Sequence, residues 1–93
     1  MKINKTSRHQ VSEESIDIAV NCLAEKLKYR LKEKGYGTFA SRHEVLGVVG
    51  TEYMELGEAV EHKTMKDVEE ELLDVAVGCV FGVACIKEKS LDW

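Results

Sequence analysis

Apolar positions recur at helical spacing along most of the chain. Ile16, Val20, Leu23, Leu27 and Leu31 form one stripe, which predicts a helix over 12–34. Ser12 can cap that helix, and Glu13 and Glu14 suit its positive end. Lys28, Arg30, Lys32 and Lys34 suit its negative end, and Gly35 supplies a stop. The stretch GYGTFA reads as a flexible linker. SRHE follows, in which Ser41 and Glu44 fit a capping box and Ala40 and Val45 a hydrophobic staple. A second helix is expected from 42 to about 61, with Val45, Val49, Leu56 and Val60 on its inner stripe. Thr64 and Asp67 offer a weaker box for a third helix over about 65–89. Its main stripe reads Val68, Leu72, Val75, Ala76, Cys79, while Phe81 and Cys85 extend burial to a further side. So short a connection as EHK makes the second and third helices an antiparallel αα-hairpin. The fold class that follows is all-α: three main helices with a central αα-hairpin, completing a helical bundle by homo-oligomerisation.

Acidic residues interrupt this pattern. With the second helix wound at about 100° per residue, Glu52 falls inside the apolar arc and Glu55 at its edge. Glu58 points away and reads as a solvated surface acid. On the third helix, Glu71 and Asp74 are three residues apart and share a side. Folding the hairpin near 62–63 brings Glu55 level with Glu71 and Glu52 level with Asp74. Two readings stay open. The carboxylates converge on a cation that offsets their repulsion, or the first helix donates Lys26 or Arg30 to an ion-pair network. An all-oxygen ligand set favours Mg²⁺, with Mn²⁺ possible, over zinc. No Glu has a His three residues later, which removes the ferritin-like di-iron arrangement. Mg²⁺ held by carboxylates commonly completes its shell with waters and substrate phosphates.

Composition narrows the field further. The 93 residues are 44% hydrophobic and 32% charged, contain no proline, and make one globular domain whose own core is thin. A net charge of −4 argues against stable nucleic-acid binding. The basic MKINKTSRHQ has no apolar h-region, so it is no signal peptide, and 1–11 read as a flexible tail. VAVGCVFGVACI is shorter than the ~20 apolar residues a bilayer span requires, and reads as a core helix rather than a membrane segment. Cys22, Cys79 and Cys85 lie in apolar contexts without a C-x-x-C, as expected of buried reduced thiols in a cytoplasmic protein.

Glu52-x-x-Glu55, fifteen intervening residues and Glu71-x-x-Asp74 together resemble the signature of the MazG-like all-α nucleoside triphosphate pyrophosphohydrolases. GTEYMELGEAV resembles that family's E-E-x-x-E-L-x-E-A helix, and EELLDV its E-E-L-x-D-x segment. FASRHE resembles the corresponding stretch of phage-type and related members, so the resemblance covers roughly 36–86. It implies that Glu52, Glu55, Glu71 and Asp74 bind Mg²⁺. It further implies a nucleoside triphosphate substrate, cleaved between the α and β phosphates to a monophosphate and pyrophosphate in nucleotide-pool clean-up. Glu52 or Glu55 is the catalytic residue expected to orient or deprotonate the attacking water. Family members work as homodimers or homotetramers. Thr51 stands where the family often has a first glutamate, which trims the outer shell of the site. Many relatives continue past the third helix with elements that hold substrate, whereas this sequence ends at Trp93. The phosphate-binding cation then falls to Lys87 or to a partner subunit, unless Lys87 is simple surface charge. Phe39 and His43 are candidates for framing a base pocket, and Tyr36 reads as a linker aromatic covering the bundle end. A non-catalytic helical dimer acting as a binding or regulatory module is the alternative function. A cation-binding protein without nucleotide chemistry is a third.

Overall fold

A computed structural model of the chain describes residues 8–91. Among these the fold is all-helical, without strands: α1 (Glu13–Lys34), α2 (Arg42–His62) and α3 (Met65–Lys87). Of the expected tail, residues 8–11 are exposed and outside any helix, and 1–7 lie outside the described residues. Each helix starts where a hydroxyl can satisfy its free N–H groups. The Ser12 hydroxyl accepts from the Ser15 N–H at 3.1 Å, and the Ser41 hydroxyl from the Glu44 N–H at 3.2 Å. The two boxes come out in reverse order of strength. Glu44 reaches back to the Ala40 N–H rather than to that of Ser41. Thr64 and Asp67 instead close the full reciprocal box. The Thr64 hydroxyl, together with its backbone N–H, holds the Asp67 carboxyl below the ordinary range.

The helix stops are equally local. Gly35 adopts φ 87° and donates its N–H to the Leu31 carbonyl at 2.8 Å. That left-handed φ is open to glycine at little cost. The third helix ends at Lys87, two residues short of the expected end, because Lys89 turns left-handed at φ 58°. The Ser90 N–H then closes on the Cys85 carbonyl at 3.1 Å, a 6→1 bond of the Schellman kind.

α3 is the central element, with α1 and α2 packed on adjacent sides of it. The α2–α3 hairpin is antiparallel. A Cβ added at Gly82 would lie 3.2 Å from Val45 Cγ1, and one at Gly78 would lie 3.4 Å from Val49 Cγ2. These two glycines let α2 approach closely. α1 runs parallel to α3, since Lys26 meets Glu70 and Arg30 meets Asp74. In that register the first two turns of α1 extend past the start of α3.

The inner stripes of all three helices differ in part from expectation. Ile16 and Val20 are more than half exposed, because α1 overhangs there, while Leu23, Leu27 and Leu31 are half-buried. On α2 the buried residue is Ala59, and Val60 is exposed. On α3 the inward side carries Val77, Gly78, Gly82 and Cys85. The expected main stripe is peripheral: Leu72 and Cys79 are exposed, and Val68, Val75 and Ala76 are half-buried. From Val75 to Ile86 α3 is apolar all round, so its pattern there does not mark the side on which α1 and α2 dock. The three cysteines are free thiols, but only Cys85 is buried; Cys22 is half-buried and Cys79 exposed. No helix among the described residues is long and apolar enough to cross a membrane.

Candidate metal centre and its cleft

Three glutamates converge where α2 and α3 run level. Carboxylate oxygens of Glu52, Glu55 and Glu71 all lie within 4.8 Å of one another. Glu52 and Glu71 are half-buried and Glu55 is exposed, so the group opens outward on one side. Burial raises the Glu52 pKa, and the negative charges of Glu55 and Asp74 raise it further, against a smaller opposing effect of Arg30. The Glu71 Oε2 atom is buried without a hydrogen-bond partner among the described residues. A buried carboxylate oxygen left unpaired is costly, and among the described residues the three side chains meet no lysine or arginine at ion-pair distance.

Asp74 is held apart from this group. Its Oδ1 accepts from Arg30 Nη2 at 2.8 Å and lies 2.9 Å from Lys26 Nζ. Lys26 also donates to the Glu70 carboxylate at 3.1 Å and to the Glu70 carbonyl at 3.2 Å. Burial by itself would lower the Lys26 pKa, but its hydrogen bonds to Asp74 and Glu70 outweigh that and leave it raised. The ion-pair reading is therefore realised at Asp74. Glu52, Glu55 and Glu71 converge, while the fourth acid is claimed by cations from α1. Glu58 is exposed.

The three-glutamate group suits a small divalent cation. Its donors are all carboxylate oxygens, and their spacing is compatible with one ion bound at about 2.0–2.6 Å from each ligand atom. The Glu71 Oε2 supplies a lone pair that no hydrogen bond among the described residues uses.

Glu52 also forms part of the wall of a cleft of about 270 Å³, which runs between α1 and α2 over the face of α3. Arg30 and Lys34 line it from α1, Phe39 from the linker, and Asp74 and Phe81 from α3. Phe39 meets Phe81 edge to face, with ring centroids 5.2 Å apart. Its N–H donates to the Cys85 thiol at 3.5 Å, which pins the linker to α3. Among the residues singled out for substrate, only Phe39 reaches this cleft. His43 is exposed in the first turn of α2 and does not line it. Lys87 closes α3 sixteen residues beyond Glu71, roughly 24 Å along the helix. Tyr36 is exposed and also lies off the cleft.

Of the cleft cations, Lys34 reads in the sequence as a helix-end charge, and Arg30 as that or as an ion-pair donor to the acids. Their signal is their spacing with Lys26, which puts all three on the flank of the Leu23, Leu27 and Leu31 stripe. Comparison with known protein families, curated proteins and solved structures finds no match to this chain.

Proposed function

We propose that the protein is a divalent-metal-dependent nucleoside triphosphate pyrophosphohydrolase of the MazG-like kind, working in the cytoplasm as a homo-oligomer in nucleotide-pool clean-up. The observation that carries this reading is the convergence of Glu52, Glu55 and Glu71, with the unpaired Glu71 Oε2 among them, beside a cleft lined by cationic and aromatic residues. In this reading those glutamates hold Mg²⁺ or Mn²⁺. Bound there, the ion would neutralise phosphate charge and acidify a bound water. Glu55, the most exposed of the three, orients the attacking water, and Glu52 fixes the side of the group that faces the cleft. Arg30 and Lys34 attract the triphosphate, and Phe39 with Phe81 offers an apolar aromatic wall to the base. Asp74 serves as the anchor that aims Arg30 into the cleft. Arg30 and Lys34 take the phosphate-binding role first considered for Lys87.

A second reading, a non-catalytic helical dimer that binds a ligand without turning it over, draws on the Asp74 ion pairs, since these occupy one of the four acids structurally.

Incubating the protein with canonical and modified nucleoside triphosphates, with Mg²⁺, Mn²⁺ or chelator, separates the two. Metal-dependent release of pyrophosphate is expected, and absence of turnover with every nucleotide and both metals would sink the enzyme reading. Glu55→Gln is expected to lower turnover roughly 100-fold or more. Its helix content should be unchanged, because Glu55 is exposed.

A further inference from the structure

The Lys26 ammonium lies 2.9 Å from Asp74 Oδ1, 3.1 Å from Glu70 Oε2 and 3.2 Å from the Glu70 carbonyl oxygen. An ammonium has three N–H groups, so three oxygens match its whole donor capacity. The carbonyl belongs to the α3 backbone and cannot rotate away, which fixes where the charge sits. Asp74 Oδ1 also accepts from Arg30 Nη2 at 2.8 Å, so one carboxylate oxygen serves two cations from α1. Among the described residues neither cation comes within ion-pair distance of Glu52, Glu55 or Glu71. Asp74 is nonetheless a neighbour of those glutamates. It follows Glu71 by three residues on the same side of α3, and its negative charge helps to raise the Glu52 pKa. A change of side-chain rotamer is the motion that would carry it from the cations to the glutamates.

We infer that Lys26 is a positioning residue that withholds Asp74 from the metal group, so that three glutamates rather than four acids meet the ion. The inference rests on the metal reading of the proposed function and names the residue that sets its ligand count. Its chemical reason is room for the substrate. Mg²⁺ is commonly held by one or two carboxylates and completes its shell with waters and substrate phosphates. Each further carboxylate takes a place that a phosphate oxygen would fill, and adds a charge that repels the phosphates. Lys26 keeps that place open, and by the same contact keeps Asp74 on Arg30, which lines the cleft. Arg30 is the weaker holder of the two. Its side chain is 31% exposed against 18% for Lys26, and among the described residues no backbone oxygen anchors it.

Because Lys26 also ties α1 to α3, the first test uses the wild-type chain. In a carboxyl ¹³C NMR titration with Mg²⁺, the side-chain signals of Glu52, Glu55 and Glu71 should shift while that of Asp74 keeps its metal-free position. Calorimetric titration with Mn²⁺ then tests the lysine. Lys26→Met should bind the ion roughly tenfold more tightly than wild type, because the freed Asp74 adds a ligand, and Lys26→Arg should keep the wild-type affinity. In an Asp74→Asn background the same Lys26→Met change should have no effect on affinity. Tightening of equal size in that background would assign the effect to the lost positive charge alone and overturn the proposal. So would Lys26→Met of unchanged helix content that binds no more tightly, or an Asp74 signal that moves with the glutamates in the wild type. Those three outcomes leave the metal reading standing. If no glutamate signal moves and no heat of binding is seen, the metal reading falls and takes this inference with it.

Discussion

Glu52 and Asp74 stand level on neighbouring helices, yet their surroundings give the two carboxylates different thermodynamic roles. Among the described residues Glu52 has no cation at ion-pair distance, and burial holds its pKa above its ordinary value of 4.5. A carboxyl whose folded pKa is raised costs no stability while it is protonated, below the unfolded value. The cost grows as pH rises through the window up to the raised value, and persists above it. Glu52→Gln is therefore expected to raise the melting temperature at neutral pH in chelator, with the gain vanishing under acid conditions. Added Mg²⁺ should raise the melting temperature of the wild type and not that of this variant. Asp74 is the opposite case. Only 12% of its side chain is exposed, against Lys26 and Arg30. Asp74→Asn leaves two cations without their partner and should cost about 1–3 kcal/mol in urea unfolding, so any loss of turnover in that variant must be read beside its stability.

At the scale of elements, α2 and α3 are joined by close backbone approach, and α1 by its half-buried Leu23, Leu27 and Leu31 together with charge. Gly78 and Gly82, one turn apart, make the groove into which Val49 and Val45 fit. The two glycines differ in how much room they leave. At Gly78 an added Cβ would make ordinary contact, so Gly78→Ala should stabilise by about 0.5–1 kcal/mol through helix propensity. Gly82→Val forces a branched side chain against Val45 and should destabilise by about 1–3 kcal/mol. Thermal unfolding of the pair checks the sign at each site. If both variants lose stability, the spacing at Gly78 is tighter than its 3.4 Å contact indicates.

For the whole molecule, the residues buried below the surface are few: Ala59, Val77 and Cys85 are the buried hydrophobics among the described residues. So small a core supplies little burial free energy against the cost of ordering the chain, and self-association would enlarge it. The melting temperature should accordingly rise with protein concentration, by mass action. A concentration-independent transition would mean that the chain is stable alone.

The sequence by itself determined the helices and the hairpin. Caps, stops and helical spacing are local interactions, and the short 62–64 connection with a constant rise per residue sets the level of Glu52 and Glu55 against Glu71 and Asp74. The tertiary structure alone decided where α1 docks, because the 35–41 linker leaves its direction free. That docking assigned Asp74 to Lys26 and Arg30, opened the cleft with Lys34 in its wall, and chose which side of the apolar C-terminal half of α3 turns inward. Periodicity marks a buried face only where the opposite face is polar. On α3 both are apolar, so the choice rests on contacts between residues distant in the chain.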